Sequence, residues 1–187
     1  MKANRVRSLA LILQEEGGWS NNPKDPGGAT MKGVTQRVYD AFRRRLGQAL
    51  RTVRLIADVE LNAIYGQEYL DIVHFDEMPA GVDYAVADSA VNSGTRQAAK
   101  WLQAAVGAAV DGAIGFGTLK AVAAKPATKI IDAICDARLS FLHRLKTWNV
   151  FGKGWGRRVY RVRMMAQLMA RQAAANDNRP QPLKAAA

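Results

Sequence analysis

The chain is poor in the groups that build disulfides, metal clusters and membrane spans. Cys135 is its only cysteine, and it has two histidines, His74 and His143. One thiol cannot close an intramolecular disulfide, and one thiol with two distant histidines matches no metal-ligand spacing. Neither a metal nor a cofactor is therefore expected. Cys135 itself lies in an apolar helical run, Ile130-Ile131-x-x-Ile134-Cys135, and reads as a packed core thiol. No apolar stretch reaches the ~18 residues that would cross a bilayer. The start carries basic residues and then Leu9 to Leu13, which is shorter than the ~7–15-residue apolar region of a secretory signal and lacks a small-residue cleavage site after it. A mature N-terminal helix without a Sec signal is expected. Strand signals are nearly absent.

Acidic residues are also scarce, 16 against 27 Lys and Arg, which leaves a net charge of +11. That balance favours an anionic partner: nucleic acid, an anionic membrane surface or a bacterial cell wall. The basic residues fall in Arg43-Arg44-Arg45, Arg51 and Arg54, and Arg157-Arg158, Arg161 and Arg163. They are spread over several elements, with no interleaved aromatics to stack bases. They read as solvated helix faces with a general attraction for anions, and specific nucleic-acid binding is not expected.

What is present is a globular, mainly α pattern, 49% hydrophobic and long enough for one domain or two small lobes. Residues 4–16 read as an amphipathic helix. At ~100° per residue, Val6, Leu9, Ala10 and Leu13 share one face, Glu16 falls at its edge, and Glu15 points away with Arg7 and Ser8. Gly17-Gly18 stop the helix. Residues 17–34 form a loop with short strand pairing at Ala29-Thr30. Thr35 is a suitable N-cap for a helix reaching Arg45. Further helices are expected over 59–73, 80–92, 95–107, 116–123 and 126–147, then a break over Asn149–Gly156 and a last helix over 157–174. The polar tail from Asn176 is expected to be disordered.

The segment Glu16 to Gly33 is the most informative. An acid ends an apolar helical run, and Asp25 follows in a loop too rich in Gly, Pro and Asn to be helix or strand. Such loops serve function more often than packing. Partial desolvation at the rim of an apolar face favours the protonated carboxyl that a general acid needs; the alternative for Glu16 is a surface residue closing a helix. Asp25 is either a carboxylate facing Glu16 or an Asx-turn residue before Pro26-Gly27. Thr30 and Thr35 either orient a water or cap a turn and a helix. Trp19 is either a sugar-stacking platform or a core anchor for the loop. An acid on a helix end and another on an adjoining loop are parts that glycoside hydrolysis can use.

The run Glu16-Gly17-Gly18-Trp19, Asp25-Pro26-Gly27-Gly28-Ala29-Thr30 and Gly33-Val34-Thr35 resembles the signature of glycoside hydrolase family 108. The resemblance continues through Ile64-Tyr65 and Tyr69, Asp88-x-x-Val91-Asn92-Ser93-Gly94 and Trp101-Leu102-Gln103. It ends in Asp111-Gly112-x-Ile114-Gly115-x-x-Thr118-Leu119, similar to a peptidoglycan-binding region. It implies a lysozyme-like fold and an N-acetylmuramidase of the endolysin or secretion-activator kind. Glu16 would be its proton donor, and Asp25 and Thr30 helpers. Trp19, Thr35, Tyr65, Tyr69, Asn92 and Ser93 would contact substrate. Phage-type lysozymes carry the same eight-residue gap between Glu and Asp, but here four residues rather than five separate Asp25 from Thr30. Leu70 stands where the family commonly has Trp.

The resemblance further implies a catalytic lobe over 1–79, a helical peptidoglycan-binding region over 80–174 and a tail over 175–187. It implies a monomer that binds glycan strands, made in the cytoplasm and exported by a holin-like or other non-Sec secretion route to the periplasm or wall. A non-catalytic wall-binding protein and a basic nucleic-acid-binding protein are the alternatives.

Overall fold

The computed structural model describes residues 2–14, 16–21 and 28–177. Among them are eight α-helices and one three-stranded antiparallel sheet, so the chain is mainly α as expected. Contacts divide it into two compact units, Lys2–Ile72 and a second running from Val73.

The first unit opens with α1 (Lys2–Gln14). Its buried face is Ser8, Leu9 and Ile12, while Val6 is 75% exposed and Ala10 is exposed, so the face expected from periodicity is corrected. The true face is turned by ~100°, one residue's step. Arg5 lies on this turned side, where its guanidinium bonds the Asp71 carboxylate at 2.5 Å. The chain tightens after α1, with the Glu16 N–H donating to the Leu13 carbonyl at 3.2 Å.

Strands β1 (Trp19–Ser20), β2 (Thr30–Met31) and β3 (Val34–Thr35) follow. β1 pairs with β2, with Trp19 opposite Met31, and β2 with β3, with Met31 opposite Val34. That register leaves Lys32-Gly33 as a two-residue loop. Both have positive φ, 47° and 77°, which is the type I′ pattern that matches strand twist. Thr35 caps α2 (Gln36–Arg45), its hydroxyl accepting from the Val38 N–H at 3.3 Å, as its position predicted.

The irregular residues 46–57 are held from α2. The Gln36 amide accepts from the Val53 N–H at 2.7 Å and donates to the Arg51 carbonyl at 2.9 Å, and Arg43 Nε donates to the Ala49 carbonyl at 2.6 Å. In α3 (Asp58–Tyr65), Glu60 reaches back to the Ala57 N–H at 2.9 Å. Its carboxylate also accepts from the Tyr39 hydroxyl at 2.8 Å, from Arg51 at 2.5 Å and from Arg43. The helix predicted over 59–73 is shorter and changes pitch, widening into a π turn over Gly66–Leu70.

The second unit is built around α4 (Val82–Ser93), whose residues Val82 to Ala90 are all buried. A helix buried on every side is the core of its unit. It packs with α5 (Thr95–Val106), α7 (Ala127–His143) and α8 (Trp148–Asp177), and α6 (Phe116–Ala123) packs on α5. Cys135 is buried as expected, and burial pushes its thiol up to about 11, where it is inert.

The break expected over Asn149–Gly156 is absent: those residues are helical within α8. A glycine in a helix costs only ~1 kcal/mol, which packing overrides. Here the glycine is itself part of the packing. A Cβ on Gly152 would lie 2.5 Å from the Trp148 ring, so the missing side chain lets the indole lie against the helix. Trp148 also stacks on His143 with ring centroids 3.8 Å apart.

The motif pieces Trp101-Leu102-Gln103 and Asp111-Gly112 to Thr118 meet at Gln103, which is 1% exposed. Its amide donates to Asp111 at 2.6 Å, to the Ala113 carbonyl at 2.9 Å and to Thr118 at 3.3 Å, and accepts from the Gly112 N–H at 2.9 Å. This motif therefore builds a loop around one buried glutamine.

Candidate active site

Glu16 is half-buried, one turn beyond the buried face of α1. Continuing the observed helical phase puts it roughly 30° from the centre of that face, closer than its expected place at the edge. The β2–β3 turn comes up against it. A Cβ on Gly33 would lie 3.2 Å from Glu16 Oε2 and would overlap the Tyr65 hydroxyl. Only glycine both adopts the left-handed φ and leaves this space open. The Tyr65 hydroxyl donates to the Lys32 carbonyl at 2.9 Å, pinning the turn to α3.

Beside these groups lies a cavity of about 120 Å³ whose lining includes Gly33, Tyr65, Glu68 and Tyr69. Tyr65 and Tyr69, four residues apart, are adjacent, with ring centroids 5.5 Å apart. π turns recur at functional positions. Burial, with the negative charges of Glu68 and then Glu16, raises the Tyr69 phenol above its ordinary pKa. Tyr69 is thus a neutral donor near the Glu16 carboxylate. One acid, two phenols and an open glycine turn can hold a polar ligand and supply a proton to it.

The other expected residues divide in four ways. Trp19 is 38% exposed, so it is not a core anchor; the Arg54 guanidinium lies over its ring at 5.6 Å. The Thr30 hydroxyl donates to the Gly28 carbonyl at 3.0 Å, and the Thr35 hydroxyl is used at the helix cap, so each already serves local structure. Asp25 lies outside the described residues. Asn92 and Ser93 belong to the second unit, where they line a cavity of about 380 Å³ with Arg138, Phe141, Trp155 and Arg158. The Asn92 amide also donates to the Asp88 carbonyl at 2.8 Å.

Sequence reasoning missed the charge networks. Arg43 and Arg158 were expected on solvated faces, yet the side chain of each is 12% exposed and bonded to a carboxylate. In the second unit, Asp88 accepts from Arg138 at 2.6 Å and from Arg158 at 2.8 Å. These partners are 50 and 70 residues away in sequence, so no spacing rule reveals them. Among the described residues no cluster of His, Cys, Asp or Glu could hold a metal ion, and no helix is long and apolar enough to cross a membrane.

Comparison with known proteins gives this arrangement its class. A model of glycosyl hydrolase 108 matches residues 9–94, and one of a predicted peptidoglycan domain matches residues 97–160. The structure of SagA from Brucella abortus is similar, with a TM-score of 0.79 and 40% identity, covering 93% of this chain and 99% of that one. No curated protein matches. The fold is lysozyme-like, and the protein is a glycoside hydrolase that acts on peptidoglycan. The chain belongs to the glycosyl hydrolase 108 family. The two matches meet at the turn after α4, whereas the structural division lies at Ile72–Val73. Helix α4 thus falls in the hydrolase match by sequence and packs among the helices of the peptidoglycan domain.

Proposed function

We propose that the protein is an N-acetylmuramidase of the lysozyme type, cleaving the β-1,4 bond between N-acetylmuramic acid and N-acetylglucosamine with Glu16 as proton donor. The observation that carries this reading is the carboxylate of Glu16 set against the open Gly33 turn beside Tyr65 and Tyr69, in a chain of this family. Glu16 protonates the leaving glycosidic oxygen as the bond breaks, and a water adds to the sugar. Asp25, separated from Glu16 by eight residues, is the candidate second carboxylate, with Thr30 as a candidate water-orienting hydroxyl. Tyr65, Tyr69 and the exposed Trp19 offer sugar contacts, since aromatic faces suit the C–H face of a pyranose. Thr35, Asn92 and Ser93 are further candidate contacts. The first unit carries the chemistry in this reading, and the second holds the wall.

The substrate lies outside the cytoplasm, so in this reading the protein acts in the periplasm or wall. Either a prophage endolysin or a cell's own wall-opening factor fits. The test is Glu16→Gln, which keeps shape and removes the acid. The folded variant is expected to leave purified peptidoglycan intact. Clearance at the wild-type rate would exclude Glu16 as donor.

A further inference from the structure

The larger of the two cavities described above, in the second unit, is lined by polar and by apolar side chains. Its volume, about 380 Å³, sits at the small end of the ~300–1,000 Å³ range of small-molecule sites. Two of its lining residues are arginines, and neither Asp nor Glu is among its described lining. The arginines are fixed rather than mobile. Arg138 is 3% exposed and donates to Asp88 Oδ1 at 2.6 Å, and Arg158 donates to Asp88 Oδ2 through Nε at 3.1 Å and its terminal nitrogen at 2.8 Å.

Asp88 thus divides one negative charge between two guanidiniums. Arg138 keeps a buried Nε–H with no hydrogen-bond partner. A buried donor left unbonded is costly, and a charged one more so. Asn92 and Ser93 add an amide and a hydroxyl at one side, and Phe141 and Trp155 add apolar walls. Trp101 backs Phe141 edge-on with ring centroids 5.6 Å apart, which fixes that wall.

We propose that this cavity binds a carboxylate carried on a small apolar skeleton, with Arg138 and Arg158 holding the carboxylate and Phe141 and Trp155 holding the carbon atoms. A fixed guanidinium presents donors in the geometry a carboxylate accepts. Resting on the peptidoglycan reading above, the wall offers two such groups: the D-alanyl carboxylate that ends a stem peptide, and the lactyl carboxylate of an unsubstituted muramic acid. Either would tie the second unit to a chemical feature of the wall, whereas the net charge of +11 alone gives attraction without selection.

The test is an NMR titration of the whole ¹⁵N-labelled chain, following the Arg138 Nε–H and the Trp155 indole N–H. The probes are N-acetyl-D-alanyl-D-alanine, its C-terminal amide, and N-acetylmuramic acid. At least one carboxylate should move both signals, and the amide should bind at least ~10-fold more weakly, because it lacks the charge-assisted bonds. The probe that binds identifies the source. Leu145→Trp, which adds bulk to the cavity lining without removing either arginine, should abolish the shifts in a chain that stays folded.

Equal binding of amide and carboxylate, shifts that survive in Leu145→Trp, or no shift with any probe would each overturn the proposal. Parallel digestion of peptidoglycan separates the two readings. Carboxylate binding by a protein that cleaves no glycan would remove the muramidase and leave the cavity; cleavage without carboxylate binding would do the reverse.

Discussion

Glu60 in the first unit and Asp88 in the second are both carboxylates that gather two arginines, yet they sit in different surroundings. The Glu60 side chain is 12% exposed, and its partner Arg51 is 39% exposed. The Asp88 side chain is 1% exposed, and the Arg138 side chain beside it 4%. Burial by itself would raise the Glu60 pKa. The Ala57 N–H, the Tyr39 hydroxyl and Arg51 outweigh it and hold the carboxyl at about 2. The first unit is thus braced by a network that water and protons can reach, which suits the proposal that its turn and tyrosines admit a substrate. The second is braced by one whose carboxylate is almost fully buried. In neither is a basic cluster simply a solvated face.

This contrast can be broken at several points. The largest effect is expected for Glu16→Gln, whose turnover on purified peptidoglycan should fall by about 10²–10⁴-fold with an unchanged circular dichroism spectrum, the range for losing a general acid. Next comes stability. Asp88→Asn should cost about 3–5 kcal/mol in urea unfolding, because it leaves Arg138 buried without its carboxylate. Glu60→Gln should cost less, about 1–3 kcal/mol, since Arg51 can turn to water. Equal losses would erase the distinction between the two networks.

Gly33→Ala is expected to cost about 1–3 kcal/mol for a strained left-handed residue, and to reduce turnover because the new methyl displaces Tyr65 and presses on Glu16. Wild-type turnover in that variant would separate the turn from the chemistry.

Acid sharpens the comparison further. A carboxyl held at about 2 in the folded chain, against about 4.5 ordinarily, adds stability that is fully present above pH 4.5 and is lost as pH falls from there towards 2. Melting temperatures of wild type and Glu60→Gln should therefore converge over that interval. Parallel curves would assign the acid loss elsewhere. The smallest effect is expected for Glu15→Gln, which should stay within about 2-fold of wild type, since it is Glu16 that meets the Gly33 turn. A loss equal to that of Glu16→Gln would sink the assignment of the acid to Glu16.

Local signals in the sequence were read well where one residue decides the structure. Thr35 announces its helix, and the apolar period of 116–123 returns as α6. Glu16 was singled out by helical phase, although the face itself is turned, with Ser8 buried and Val6 and Ala10 exposed. The reading failed where a neighbour overrides propensity. Gly152 reads as part of a break in the sequence, and the Trp148 ring packed against it supplies the reason for that glycine. The tight turn at Lys32-Gly33 lacks the Asn that usually marks its type, and takes its definition from strand register and Tyr65. The triad of Asp88, Arg138 and Arg158 could not be read at all, because only tertiary packing brings its members together.

Mass spectrometry of the fragments released from purified peptidoglycan by the wild-type chain, with Glu16→Gln alongside, tests the central claim most directly. Fragments with reducing N-acetylmuramic acid ends, present with wild type and absent with the variant, are the predicted result. Anhydro ends, reducing N-acetylglucosamine ends, or the same fragments released by the variant would contradict it.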